Sequence, residues 1–94
     1  MVKHIVFYTL RDDCSKTDAI EEIRSALEPL TQKIPGLTCM QIRPAAKGGY
    51  DYVLYSEFDS MEALEGYQKN PAHLAVKPIV HQYIQERVSA DFYV

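Results

Sequence analysis

The residues best suited to chemistry lie in residues 67–73, where a tyrosine is followed six positions later by a histidine. Asn70 is a favoured helix N-cap and Pro71 a favoured first helical residue, so His73 should be the third residue of a new helix. The positive end of the helix dipole disfavours an imidazolium there, which leaves a neutral histidine able to accept a proton. If the turn brings the Tyr67 hydroxyl towards the same cavity, the two side chains form a candidate acid–base pair.

The same residues also have a structural interpretation. His73 can serve as an additional capping residue and Tyr67 as an aromatic residue of the core, and composition alone favours this alternative. The two interpretations differ in what surrounds the His73 ring. Chemistry requires a cavity of ligand size beside it, whereas a packed core leaves no room for a substrate.

The elements that must position these residues follow from the spacing of apolar side chains. Strand-like patterns occupy residues 2–10, 37–43, 50–58 and 88–94. Helical spacing occupies residues 20–34, 61–67 and 71–83, with a kink or end expected at Pro29 and an interruption at Pro78. This order predicts an α+β, ferredoxin-like βαββαβ protomer, with an antiparallel sheet and its helices on one face.

The helices of such a protomer leave one face of the sheet uncovered. Apolar and aromatic residues are expected on that face, namely Ile5, Phe7, Val53, Tyr55 and Tyr93. A monomer would expose them as a large apolar patch, and a two-fold partner stacking sheet on sheet is the simplest way to cover it. The sequence therefore predicts a homodimer through the sheet face.

The composition is that of an ordinary globular protein, and it argues against several classes of partner. Hydrophobic residues make up 47% of the chain and charged residues 24%, which is typical of a globular protein, and the length of 94 residues predicts a single domain over residues 1–94. A net charge of -3 with dispersed Lys and Arg argues against nucleic acid and anionic membranes as partners. No apolar run approaches the roughly 18 residues that a membrane span needs.

The cysteines and histidines indicate no disulfide and no metal. Cys14 and Cys39 form no Cys-x-x-Cys pair, and we expect both to be free thiols in the cytoplasm. His4, His73 and His81 are scattered, without a carboxylate at the usual ligand spacing. We therefore expect neither a metal site nor a cofactor.

A set of short segments along the chain resembles the stress-responsive A/B barrel domain family, also called the dimeric α/β barrel or Dabb domain. The set comprises Val2-Lys3-His4-Ile5-Val6, Ile34-Pro35-Gly36, Ser56-Glu57-Phe58-Asp59-Ser60, Tyr67, Asn70-Pro71-Ala72-His73 and Asp91-Phe92. The resemblance extends over essentially the whole chain. It implies a ferredoxin-like protomer whose sheet pairs with the sheet of a partner to form a barrel.

The resemblance also implies site residues. A plant member of the family closes a linear polyketide by an aldol reaction, with a histidine as the base and a tyrosine as its partner. These two residues match His73 and Tyr67, and a further pocket histidine matches His4. Another pocket histidine is replaced here by Tyr52, and aromatic residues of the first helix are replaced by aliphatic ones such as Ile23. The replacements argue against the plant substrate but leave the base in place.

Two hypotheses from different classes remain open. In the first, a small aromatic or polyketide-like ligand binds between the sheet and the helices and undergoes acid–base chemistry of the aldol cyclase or lyase type. The expected catalytic residues are His73 and Tyr67, and the expected substrate-binding residues are His4, Tyr8, Tyr52 and Leu74. In the second, the chain is a non-catalytic homodimer, stress-associated or ligand-binding, whose Pro-Ala-His segment only builds the start of a helix.

Overall fold

The chain folds into the predicted ferredoxin-like order in a computed structural model that describes residues 1–94. The strands are β1 (Val2–Leu10), β2 (Leu37–Pro44), β3 (Tyr52–Phe58) and β4 (Ile84–Tyr93). The helices are α1 (Lys16–Leu27), α2 (Met61–Lys69) and α3 (Pro71–His81), and α1 continues into a 3-10 turn over Glu28–Gln32. The helical segment between β3 and β4 is thus divided into α2 and α3.

Side-chain caps determine where the helices begin. Ser15 and Ser60 cap α1 and α2 by accepting hydrogen bonds from backbone amides three residues further on. The side chain of Asn70 accepts a hydrogen bond of 2.9 Å from the Ala72 amide at the start of α3. Each cap satisfies an amide that the first turn of a helix leaves unpaired. His73 is therefore the third residue of α3, as the sequence predicts.

The two helix prolines have different effects. Pro29 lies in the 3-10 turn, where the regular part of α1 has ended, as expected. Pro78 does not interrupt α3, which continues to His81, so the predicted interruption is wrong. A proline removes one hydrogen bond from a helix, and α3 also packs against α1, which is the kind of tertiary contact that supplies most helical stability in proteins.

The four strands form one antiparallel sheet in the order β2-β3-β1-β4. Alternate residues of β1 are buried beneath the helices, and the residues between them face the other side of the sheet. The helix-side residues of the sheet join the apolar faces of the helices in a core cluster of 19 buried residues. One side of the sheet is thus packed and the other is uncovered.

The strand register aligns side chains in rows across β3, β1 and β4 on the helix side of the sheet. Three successive rows are Ser56–His4–Asp91, Leu54–Val6–Ser89 and Tyr52–Tyr8–Arg87. Strand β4 is an edge strand, and after Ile84 all its residues are exposed. The β4 residue of each row is therefore exposed at the edge of the sheet.

The uncovered face of the sheet carries most of the predicted apolar residues. The placement of Tyr93 is wrong, because Tyr93 pairs with Val2, which is buried beneath the helices. Phe92 pairs with Lys3 and takes the place on the uncovered face. The four predicted residues that do lie on this face are Ile5, Phe7, Val53 and Tyr55.

Three further features relate to the predictions from composition. Both cysteines are free thiols. No helix is long and apolar enough to cross a membrane. No group of three or more His, Cys, Asp or Glu side chains is arranged so that it could hold a metal ion.

Candidate active site

A cavity of about 280 Å³ lies between the sheet and the helices. This volume is close to the lower limit, about 300 Å³, of pockets that hold small ligands. The cavity brings together four of the six predicted site residues. Its lining consists of His4, Tyr8, Leu27, Leu54, Tyr67, Gln68, His73, Lys77, Val80, His81 and Arg87.

The backbone of the α2–α3 turn fixes the protonation of the His73 ring. Nδ1 of His73 lies 3.0 Å from the backbone oxygen of Tyr67. A carbonyl oxygen can only accept, so Nδ1 carries the proton and donates it to this bond. In the neutral ring, Nε2 then holds the lone pair and is the nitrogen available to take a proton from a ligand.

The Tyr67 and His73 side chains meet through stacking of their rings, and the hydrogen bond between the two residues joins the His73 ring to the Tyr67 backbone. Their ring centres are 4.0 Å apart and their planes differ by 14°. The short turn at Asn70 lays one ring on the other, which leaves the hydroxyl free for a ligand. Burial raises the pKa of Tyr67, so its phenol keeps its proton and acts as a hydrogen-bond donor near neutral pH.

The surroundings of His73 favour the neutral ring. Burial is the largest effect and lowers the pKa of His73 below its ordinary value. The charge of Lys77 and coupling to the His81 and His4 rings lower this pKa further, while the hydrogen bond to the Tyr67 carbonyl raises it in part. The direction agrees with the sequence prediction, and the main cause is desolvation of the ring.

His4 lies on the sheet side of the cavity and is held by β3 and β4. Its Nδ1 donates a hydrogen bond to the Asp91 carboxylate, because a carboxylate can only accept. The Ser56 hydroxyl donates to the backbone oxygen of His4 at 3.0 Å. These contacts orient the ring and leave Nε2 of His4 as the nitrogen that can contact a ligand.

Tyr8 and Tyr52 have different places, although the sequence predicts both as ligand-binding. Their rings stack with centres 4.6 Å apart and planes differing by 10°. Tyr8 lines the cavity, whereas Tyr52 is fully buried and lies outside the lining. Tyr52 pairs with Tyr8 across the sheet and backs its ring, so the structure corrects its expected position.

Leu74 does not line the cavity either, and its side chain is 47% exposed. It follows His73 by one residue, and a helix turns by about 100° per residue, so the two side chains point in different directions. Lys77 and His81, in contrast, share the His73 face of α3 because they follow at intervals of four residues.

Sequence reasoning missed three charged or titratable residues of the cavity. The spacing from His73 could have indicated Lys77 and His81, although the expected interruption at Pro78 obscured the second. Arg87 had no local signal, since it reaches the cavity only through the pairing of β4 with Tyr8 on β1.

Comparison with known proteins gives a family match and several matches of fold. The family model of the stress responsive A/B barrel domain matches residues 2–94. A dimeric protein of unknown function with a ferredoxin-like fold, from Bacteroides fragilis, is 30% identical to this chain with a TM-score of 0.88. That match covers 99% of this chain and 95% of the other. No curated protein matches this chain.

Two further solved structures have the same fold. A dimeric ferredoxin-like protein of unknown function from Thermobifida fusca is 26% identical, with a TM-score of 0.85 over 99% of this chain and 90% of that one. A hydroxynitrile lyase from Passiflora edulis is 17% identical, with a TM-score of 0.85 over 99% of this chain and 92% of that one. At 17% identity the lyase demonstrates likeness of fold alone.

The lowered pKa of His73 leads to a prediction about pH. The ring should titrate in the folded chain below about 6.5, the value of an unperturbed histidine. Between the two midpoints the unfolded chain binds a proton that the folded chain does not. The stability due to the neutral ring is therefore complete above about pH 6.5 and decreases as the pH falls towards the folded midpoint.

Proton NMR of the imidazole resonances measures the midpoint, with His73→Asn to assign the signal. Urea unfolding at several pH values should show a weaker decrease of stability with falling pH in the variant than in the wild type. A His73 midpoint at or above that of a free histidine would contradict the prediction.

Proposed function

This chain belongs to the stress responsive A/B barrel domain family, and we propose that it binds a small aromatic or polyketide-like ligand in the cavity and catalyses proton transfer with His73 as the base. One observation carries the proposal. The His73 ring lines the cavity while its Nδ1 is committed to the Tyr67 carbonyl, so Nε2 is the basic nitrogen. The lowered pKa of His73 keeps that nitrogen unprotonated near neutral pH.

The proposed first step is removal of a proton from the carbon next to a ligand carbonyl. Nε2 of His73 takes the proton, and the electron pair of the C–H bond forms an enolate with its negative charge on oxygen. The Tyr67 hydroxyl, which keeps its proton, donates a hydrogen bond to that oxygen. Because the two rings are stacked, a ligand lying at their edges can meet both groups.

The course of the reaction depends on the ligand. In a cyclisation, the enolate carbon attacks a second carbonyl, a C–C bond forms, and the His73 imidazolium returns its proton to the new alkoxide. The lyase direction starts differently: the neutral His73 ring removes the proton of a hydroxyl group instead of a C–H proton, the electron pair of the O–H bond forms a carbonyl as the adjacent C–C bond breaks, and the leaving carbanion takes the proton back from the His73 imidazolium. Both directions use the same base and need no further reactant.

His4 and Tyr8 are proposed to bind the ligand from the sheet side. The Asp91 carboxylate and Ser56 hold His4 in place, and Tyr52 backs the Tyr8 ring. A fixed wall of this kind reduces the freedom of the ligand and positions its reacting carbon. Tyr52 thus supports the site without touching the ligand, and Leu74 has no part in it.

We also propose that two chains associate through the uncovered sheet face. Apolar side chains on this face include Phe7, which is 41% exposed. The Bacteroides fragilis and Thermobifida fusca proteins are described as dimeric. Stacking the faces of two protomers would remove these side chains from water and should bury more than about 1,000 Å² in total.

A second function is favoured by two contacts of His73. The stacking of His73 on Tyr67 and the bond to its carbonyl close the α2–α3 turn, which is what a purely structural histidine would do. Under this alternative the chain is a non-catalytic ligand-binding or stress-associated homodimer. The two functions differ in the use of Nε2, since the structural contacts involve only the ring face and Nδ1.

Substitution of His73 by Asn separates the two functions. Asn places an amide near the position of Nδ1 and lacks an equivalent of Nε2. We expect the wild type to catalyse exchange of the methyl protons of acetophenone in deuterium oxide, which NMR can measure. In His73→Asn the rate of this catalysed exchange, above background, should be lower by a factor of about 10²–10⁴. The free energy of unfolding should change by less than about 1 kcal/mol, because the Tyr67 carbonyl keeps its bond from the Asn70 amide.

Leu74→Asn is the matched control, since it introduces the same side chain one residue along α3 and outside the cavity. It should exchange acetophenone protons at the wild-type rate. Exchange in His73→Asn at the wild-type rate, or no catalysed exchange in the wild type, would contradict the catalytic proposal. A large loss of stability in His73→Asn with unchanged ligand binding would favour the structural alternative.

The proposed dimer predicts a specific effect of Phe7→Glu. A carboxylate at this position would be buried at the interface without a partner, so light scattering should report a monomer at micromolar protein concentrations. Leu74→Glu adds the same charge to an exposed residue of the helix layer and should leave the dimer intact. A wild-type chain that is monomeric and folded would overturn the proposed interface.

A further inference from the structure

The cavity has a charge opposite to that of the whole chain. The chain contains 13 Asp and Glu residues and has a net charge of -3, yet no carboxylate lines the cavity. Its lining includes two permanent cations, Lys77 and Arg87, and three histidines. A positive field in a recess with apolar walls attracts and retains anions.

Neither permanent cation of the cavity has a carboxylate partner within the chain. Other cations do have one, such as Lys16 with Asp51 at 3.1 Å and Arg43 with Glu28 at 3.2 Å. Lys77 is half-buried on α3, and it forms no ion pair. Its charge and that of Arg87 both lower the pKa of His81, so the two cations act on the same space.

Arg87 is held at the cavity by an aromatic stack. Its guanidinium carbon lies 5.8 Å from the centre of the Tyr8 ring, and Tyr52 backs the opposite side of that ring. Tyr8 and Arg87 are direct partners across β1 and β4. A guanidinium placed on an aromatic ring loses little freedom on binding, and its planar donors match a carboxylate.

Lys77 lies one helical turn from the base. It follows His73 by four residues on α3, which corresponds to about 6 Å along the helix axis. An anionic group bound between Lys77 and Arg87 would therefore leave the rest of a small ligand beside the His73 ring. The two cations stand on opposite walls, one on a helix and the other on the sheet.

We infer that the ligand of this cavity is an organic carboxylate, with its anionic group bound by Arg87 and Lys77 and its reacting carbon placed at His73. The inference rests on the proposed function, because it uses the same cavity and the same base. It adds the substrate class, which the proposed reaction alone leaves open. It also assigns a binding role to Arg87 and Lys77.

Benzoate and benzamide test this inference directly, since they have nearly the same shape and only benzoate is charged. Titration of nitrogen-15-labelled protein, followed by amide NMR shifts, gives the affinity for each compound. We expect the wild type to bind benzoate at least about tenfold more tightly than benzamide, because two charge-assisted contacts are made only with the anion. The preference should decrease as salt is added.

The double substitution Arg87→Gln with Lys77→Gln should abolish the preference, because it weakens benzoate binding much more than benzamide binding. The matched control is Lys33→Gln with Lys47→Gln, which removes the same charge from two exposed residues outside the cavity. The control should keep the wild-type preference. Loss of the preference in the control as well would show that net charge is responsible and would overturn the inference.

The remaining outcomes distinguish failure of this inference from failure of the proposed function. Equal binding of benzoate and benzamide by the wild type would overturn the anion preference and leave a small-ligand cavity in place. A preference that persists in the Arg87 and Lys77 variant would overturn the assignment of these residues. Binding of neither compound at the cavity would count against both proposals.

Discussion

The backbone carbonyl of Tyr67 is the acceptor on which the arrangement of this site depends. It accepts a hydrogen bond of 3.2 Å from the Asn70 amide and one of 3.0 Å from Nδ1 of His73. The first bond closes the end of α2, and Asn70 then caps α3 with its side chain. The second bond selects the tautomer of His73. The same turn thus begins a helix and leaves a basic nitrogen available to a ligand.

The sheet supplies the other wall through its register. Strand β1 is paired on both sides, so its alternate side chains have fixed partners, with Asp91 and Ser56 beside His4 and with Arg87 and Tyr52 beside Tyr8. The residues between them form the uncovered face. A shift of one residue would exchange the two faces and remove both the cavity wall and the proposed dimer surface. The candidate site and the proposed dimer surface therefore depend on the same strand pairing.

The features that the sequence predicted correctly depend on residues close together in the chain. The features that it missed depend on pairing between strands that are far apart in the chain. The bounds of β1 and the position of His73 in α3 follow from alternation and from the cap at Asn70, both of which are short-range effects. The start of β4 at Ile84, four residues earlier than predicted, and the faces of Arg87 and Tyr93 depend on pairing with β1 and on the register shift near its end. The family resemblance indicated the histidine and tyrosine of the site, but their stacking depends on the geometry of the turn.

The protonation of the two His73 ring nitrogens at neutral pH decides whether this site can act as a base. Nitrogen-15 NMR distinguishes a protonated ring nitrogen from an unprotonated one through their chemical shifts. The structure predicts a protonated Nδ1 and an unprotonated Nε2, because the Tyr67 carbonyl holds the first and burial keeps the ring neutral. A neutral ring that carries its proton on Nε2, or a ring protonated on both nitrogens, would contradict the assignment of His73 as the base.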